Sequence, residues 1–217
     1  MKRILILFCV VSFSVSAFAD EKEKKVQIIT SAGKIVVKLY NETPQHRDNF
    51  IKLVEEHQYD SILFYRVIKM YMIQAGEKYA PDDSVHTYKK PDYKVPAEIV
   101  YPRFFHKRGQ LCAAREGDRT NPERASSSTE FYIVTGKHYT DSELDKLEKE
   151  RNIKFTPEQR EAYKINGGAP NLDGDYTVFG EVVKGLKVVQ KIELTGTYTN
   201  NFPVKEIRIK TVKILKK

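Results

Sequence analysis

Short β-rich runs recur along this chain, and nothing in it shows the strand–helix–strand alternation that a parallel sheet requires. Val26-Gln27-Ile28-Ile29-Thr30 and Lys34-Ile35-Val36-Val37-Lys38-Leu39-Tyr40 flank the turn Ser31-Ala32-Gly33 and predict a β-hairpin, with Gly33 free to take positive φ. Ile62–Ile68 and Met70–Gln74 are apolar, β-rich runs that read as strands. Further short strands are predicted at Gln110–Arg115, Glu130–Thr135 and Thr177–Val183. The last run, near Lys205–Leu215, alternates Ile207 and Ile209, then Val212 and Ile214. Its phase slips once at Lys210-Thr211, which predicts a bulge. Tyr79–Pro96, rich in Asp, Lys, Tyr and Pro, reads as a loop. Many short strands of this kind specify a mainly β domain, either a barrel or a sandwich.

Helices interrupt this pattern in three places. Thr43 as N-cap and Pro44 at the first helical position, with Phe50, Leu53 and Val54 at helical spacing, predict a helix over Pro44–His57. A second framing helix is predicted over Leu186–Ile192. Between Thr140 and Tyr163, Thr140 with Glu143 and Thr156 with Gln159 form two capping boxes. Leu144 and Leu147 are the only strong apolar pair in the first of these helices, so the segment is expected to be a surface helical hairpin without a core of its own.

The N-terminus carries an address. Lys2 and Arg3 precede the apolar run Ile4–Val11, and Ala17-Phe18-Ala19 is a small-x-small cleavage signal. The run is too short to span a bilayer, which takes about 20 apolar residues. Residues 1–19 are expected to be removed as a signal peptide, leaving 20–217 as one domain, periplasmic or secreted, with no stable membrane insertion. Cleavage lowers the net charge from +8 to +6. It also removes Cys9, and Cys112 alone makes no intramolecular disulfide. Lysines are spread along the chain rather than clustered with aromatics, so nucleic acid is not an expected partner.

Much chemistry is excluded by what the chain lacks. The five histidines are dispersed, with no H-x-x-x-H or H-x-H pair, and neither a metal nor a cofactor is expected. There is no nucleophile elbow and no P-loop. Cys112 sits in the apolar stretch Gln110–Ala114 and reads as a packed core thiol. The unusual residue is Arg66, mid-strand between apolar neighbours, on the same face as Phe64 and Ile68 if alternation holds. A guanidinium there needs a partner or a purpose, and Gln74 is the candidate partner.

Four blocks of sequence, in order, resemble one family. Thr43, Pro44, Asn49 and Phe50 match a T-P-x-x-x-x-N-F helix start. Phe64-Tyr65-Arg66-Val67-Ile68 through Tyr71-Met72-Ile73-Gln74-Ala75-Gly76-Glu77 resembles F-H-R-V-I … F-M-x-Q-G-G-D. Gly109–Arg115 with Ser127–Ile133 resembles G-x-L-S-M-A-N … G-S-Q-F-F-I. Asn171–Val182 resembles W-L-D-G-x-H-x-V-F-G-x-V. These are the signatures of cyclophilin-type peptidyl-prolyl cis-trans isomerases, and the resemblance spans roughly Lys25–Ile214. It implies a closed antiparallel β-barrel with two framing helices and an inserted helical hairpin.

The resemblance also implies roles. Arg66 matches the catalytic arginine and Gln74 the residue that orients it. Tyr71, Met72, Tyr132 and Leu172 match the proline pocket, with Phe64 beside them in the signature. Ala114 and Arg115 match the substrate-bearing strand, Tyr176 the pocket-rim histidine, and Glu130 a substrate-contacting glutamine. The implied partners are proline-containing polypeptides, here unfolded exported proteins, acted on by a monomer. Several positions depart from the pattern. Two pocket phenylalanines are Tyr71 and Tyr132, whose added hydroxyls need partners. The family's tryptophan is Asn171, which implies weak cyclosporin binding. These departures favour a proline-binding module with little catalysis, whereas the Arg66–Gln74 pair favours an enzyme.

Overall fold

The computed structural model describes residues 23–77 and 91–216. The expected leader at 1–19 and most of the loop at 79–96 lie outside the described residues. The chain runs β1 (Lys25–Thr30), β2 (Lys34–Leu39), α1 (Pro44–Glu55), β3 (Arg66–Ile68), β4 (Met72–Ala75), β5 (Lys94–Val95), β6 (Gln110–Ala113), β7 (Ser126–Ser127), β8 (Phe131–Val134), α2 (Asp141–Arg151), α3 (Pro157–Ile165), β9 (Val178–Lys184), α4 (Leu186–Glu193) and β10 (Ile209–Leu215). A short 3-10 turn, Pro170–Leu172, precedes β9. Eight strands form one antiparallel sheet in the order β10-β1-β2-β9-β6-β8-β4-β3, and β5 pairs with β7 as a separate ribbon.

The sheet curls into an open half-barrel, which corrects the expected closed barrel. Between its end strands, β3 and β10, there is one isolated bridge, Leu63 with Arg208. Backbone bonds from Phe64 to Ile207 and from Ile209 to Ile62 accompany it. Only three residues of the predicted strand Ile62–Ile68 are ladder-paired. Opposite them, Asn200, Asn201 with φ of 65° and Pro203 break the extended backbone that a continuous ladder needs. The predicted slip in β10 is present: Ile29 pairs with Thr211 and Thr30 with Ile209, so Lys210 is the extra residue of a bulge.

Alternation sends side chains to two separate clusters. Ile73, Ala113, Phe131 and Ile133 join Val26, Ile28, Ile35, Val37 and Leu39 in the main core. The helices complete it: α1 contributes Phe50, Leu53 and Val54, and α4 contributes Val189 and Ile192. Phe50 stands edge-on to Phe131 at 5.5 Å. Burying each such side chain contributes roughly 1.5–3 kcal/mol. On the other face of the same strands, Met72, Cys112, Tyr132 and Val134 form a second cluster with Tyr40, Ala114, Ala169 and Val178. That is why β4, β6 and β8 are buried at every position.

Both predicted capping boxes form, at Thr140–Glu143 and Thr156–Gln159. The insert nevertheless holds a small core, contrary to expectation: Leu144, Phe155 and Tyr163 pack with Phe105. Its aromatics lie outside the first helix, and the fourth member comes from the neighbouring loop.

Thr43 does not cap α1 with its side chain. The first-turn N–H groups of Gln45 and His46 instead donate to the two oxygens of Glu98, at 3.0 and 2.9 Å. His46 Nδ1 lies 2.7 Å from Glu98 Oε2, and its Nε2 lies 2.9 Å from the Ser126 hydroxyl. A carboxylate here meets the positive end of the helix dipole. Burial alone would raise the Glu98 pKa, but hydrogen bonds from the His46 ring and from the backbone of His46 and Gln45 outweigh it and hold it below the usual glutamate value. A carboxyl lowered in the folded state adds stability above its unfolded pKa, about 4.3, and loses it as pH falls through the folded value. The melting temperature is therefore expected to fall as the pH drops below about 4.3. Glu98→Gln should melt lower at neutral pH but lose less on acidification. Thermal melts of both proteins across this range check the point, and parallel curves would contradict it.

Candidate active site

The β3–β4 register sets Arg66 opposite Gln74, so the two side chains leave the sheet side by side on one face. Arg66 Nη1 donates to Gln74 Oε1 at 3.1 Å. Gln74 Nε2 donates to the Tyr65 hydroxyl and, at 3.2 Å, to Glu130 Oε2. Tyr65 Oη donates to the same carboxylate oxygen at 2.8 Å. The amide is thereby fixed with its oxygen toward the guanidinium. An arginine carries five N–H donors, so engaging Gln74 leaves donor capacity for a ligand. Close backbone approach seals this corner: Gly76, with φ of 107°, lies against Thr129 and Glu130, where a Cβ would collide with the Thr129 carbonyl.

Arg66 and Gln74 form one wall of a pocket of about 100 Å³, completed by Tyr71, Met72, Ala114, Arg115, Tyr132, Leu172 and Tyr176. Met72 comes from β4, Tyr132 from β8, and Ala114 and Arg115 directly follow β6. Leu172 and Tyr176 reach over from the segment before β9. Tyr176 meets the edge of Tyr132 with centroids 6.2 Å apart, and the Arg115 guanidinium lies 4.4 Å from the Tyr176 ring centre.

Two predicted residues lie elsewhere. Phe64 does not share a face with Arg66: it is fully buried in the main core, while Arg66 is exposed. Residues 64 and 65 precede β3, so simple alternation does not extend back to them. Glu130 stands behind Gln74 and lines an adjacent groove with Tyr93, Lys94 and Ser127. Cys112 is packed and buried, and burial raises its pKa. Burial also raises the pKa of the Tyr132 hydroxyl. Both groups keep their protons at neutral pH, which removes them as nucleophile or base.

Both added hydroxyls have partners. Asn171 Nδ2 donates to Tyr71 Oη at 3.2 Å, so two departures from the family pattern answer each other. Tyr132 Oη lies 3.0 Å from His106 Nε2. His106 Nδ1 lies 2.9 Å from Asp173 Oδ1, and Asp173 Oδ2 accepts from Tyr163 Oη at 2.5 Å. Sequence reasoning missed Tyr65, His106 and Asp173. The one available signal was the need of a buried Tyr132 for a polar partner.

The family model for cyclophilin type peptidyl-prolyl cis-trans isomerases matches residues 25–214. A Staphylococcus haemolyticus protein named "Putative peptidyl-prolyl cis-trans isomerase" is 28% identical over 200 residues, covering 90% of this chain and 93% of its own length. Peptidyl-prolyl cis-trans isomerase-like 2 of Rhizopus delemar is 29% identical over 195 residues, covering 89% of this chain and 29% of that longer protein. A crystal structure of a Cryptosporidium parvum cyclophilin shares the fold, with a TM-score of 0.64 at 22% identity, over 90% of this chain and 99% of that one. The Arg66–Gln74 geometry, the pocket and the ordered motifs thus converge with the match across residues 25–214: the chain belongs to the cyclophilin-type peptidyl-prolyl cis-trans isomerase family.

Proposed function

We propose that this isomerase speeds rotation of X-Pro bonds in unfolded proteins exported from the cytoplasm, with Arg66 as catalytic donor and Gln74 as the residue that orients it. The X-Pro amide resists rotation through its partial double bond, a barrier of roughly 18–20 kcal/mol. As resonance is lost the proline nitrogen becomes pyramidal and gains a lone pair. The Arg66 fork, held by Gln74 at 3.1 Å, donates to that nitrogen. The proline ring enters the pocket among Tyr71, Met72, Tyr132 and Leu172, and the flanking backbone lies along Ala114 and Arg115. Glu130 acts from behind, by holding Gln74. Arg66 is exposed in the free protein; bound peptide covers it and strengthens its hydrogen bonds by excluding water.

The observation that carries this reading is the fixed Arg66–Gln74 pair on the wall of an aromatic pocket. The Cryptosporidium parvum cyclophilin was also crystallised in the presence of the dipeptide Ala-Pro, a ligand of the proposed class. Residues 1–19 support export, to a periplasm or beyond the cell, and the mature protein is taken to act as a monomer. The test is NMR exchange of a short X-Pro peptide with residues 20–217, together with peptide titration. Acceleration supports the foldase; binding without acceleration would leave a proline-recognition module. Mass spectrometry of the exported protein should show Asp20 as its first residue, and an intact N-terminus would overturn the address.

A further inference from the structure

Two side chains of the α2–α3 insert reach the segment that carries Leu172 and Tyr176. Arg151, the last residue of α2, donates from Nη1 to the Pro170 carbonyl at 3.0 Å and from Nη2 to Asp175 Oδ2 at 2.5 Å. Its two acceptors bracket Leu172, and Tyr176 follows the second directly. Tyr163, in the last turn of α3, donates to Asp173 between them, and Asp173 carries the contact on through His106 to Tyr132. One helical hairpin therefore touches the rim segment directly and reaches the pocket residue Tyr132 through Asp173 and His106.

The rim segment depends on such clamps. Residues 173–177 belong to neither helix nor strand and Leu172 ends the short 3-10 turn, so no sheet ladder fixes where Leu172 and Tyr176 stand. Arg124 holds the second Asp175 oxygen at 2.8 Å, and Arg115 donates to the Asp175 carbonyl at 2.8 Å. Arg151 differs from these two in spanning the segment from end to end. It is also the contact that comes from a rigid support: α2 and α3 are boxed at their starts and packed through Leu144, Phe155 and Tyr163 onto Phe105. The Arg151 side chain is only 19% exposed, which shields the pair from screening. A bidentate guanidinium fixes geometry as well as adding energy.

We propose that the insert braces the proline pocket, with Arg151 as a positioning residue that holds Leu172 and Tyr176 against the bound ring. This rests on the reading of the pocket as the substrate site. Leu172 and Tyr176 grip the ring in ground and transition state alike, so a slack rim weakens binding more than turnover.

The experiment compares wild type, Arg151→Ala, Arg151→Lys and Arg66→Ala in peptide titration and isomerisation kinetics. Arg151→Ala is expected to raise KM about tenfold, with kcat within about twofold of wild type. Arg151→Lys, a point charge that satisfies only one acceptor, should fall between. The Leu172 methyl resonance should broaden in Arg151→Ala and stay sharp in Arg66→Ala. A merely structural role would lower the melting temperature and leave the KM of the folded protein alone. Unchanged KM and an unchanged Leu172 resonance, beside an inactive Arg66→Ala, would overturn the brace and leave the site reading standing. Full activity in Arg66→Ala would overturn both.

Discussion

Arg66→Ala is expected to lower kcat/KM for an X-Pro peptide by about 10²–10³-fold, the loss seen when one preorganised donor is removed from a reacting centre. That corresponds to about 2.7–4 kcal/mol of transition-state stabilisation. Peptide affinity should stay within about threefold, because the ring is held by other side chains and the lone pair exists only in the transition state. The variant is clean: Arg66 is exposed, so its truncation leaves no cavity in either core. Arg66→Lys should recover little, since a flexible ammonium does not reproduce the planar fork that Gln74 holds. NMR exchange for rate, titration for affinity and a thermal melt for integrity together check the prediction. A drop in affinity as large as the drop in kcat/KM would move Arg66 from catalysis to binding.

The largest stability effect is expected at Asp173. The residue is 2% exposed, and its carboxylate accepts from three donors: the His106 backbone N–H at 2.8 Å, the His106 ring at 2.9 Å and the Tyr163 hydroxyl at 2.5 Å. Asp173→Ala strands all three. Each unsatisfied buried donor costs about 1–3 kcal/mol, so a loss of about 3 kcal/mol or more is expected. For a chain of this size that lowers Tm by about 10 °C. Tyr163→Phe deletes one donor, leaves Asp173 with two, and should cost about 1 kcal/mol. Calorimetry on the two variants checks the ranking. Equal and small shifts would mean that water enters and satisfies the site.

How much of this was legible in the sequence varies with the distance over which the physics acts. The hairpin β1–β2, the helix over Pro44–Glu55, both capping boxes and the bulge at Lys210 come from neighbours within a few residues, and local pattern found them. The Arg66–Gln74 pair was legible because eight residues across a tight β-hairpin place both side chains on one face. Phe64 was misplaced because alternation was extended past the end of a three-residue strand. Closure of the barrel was overestimated because Asn201 and Pro203 interrupt the far edge in a way that the four motifs do not register. Glu98 capping α1, His106 behind Tyr132 and Arg151 on the rim join residues 19 to 53 positions apart, and no spacing rule in one sequence reveals them. The insert's core was missed for the same reason: Phe105 supplies part of it from another loop.

The position of β10 has a consequence for the order of events in synthesis. β1 lies between β2 and β10, pairing Lys25 with Leu215 at one margin and Lys38 at the other. A chain made from its N-terminus carries β1 with one open edge until Ile209–Leu215 has followed. Contacts of such sequence separation close slowly, and an open apolar strand edge invites pairing with other chains. The sheet is thus held back from its final form until Leu215 has been made. A fragment ending before Ile209 is expected to be aggregation-prone even though its pocket residues are complete.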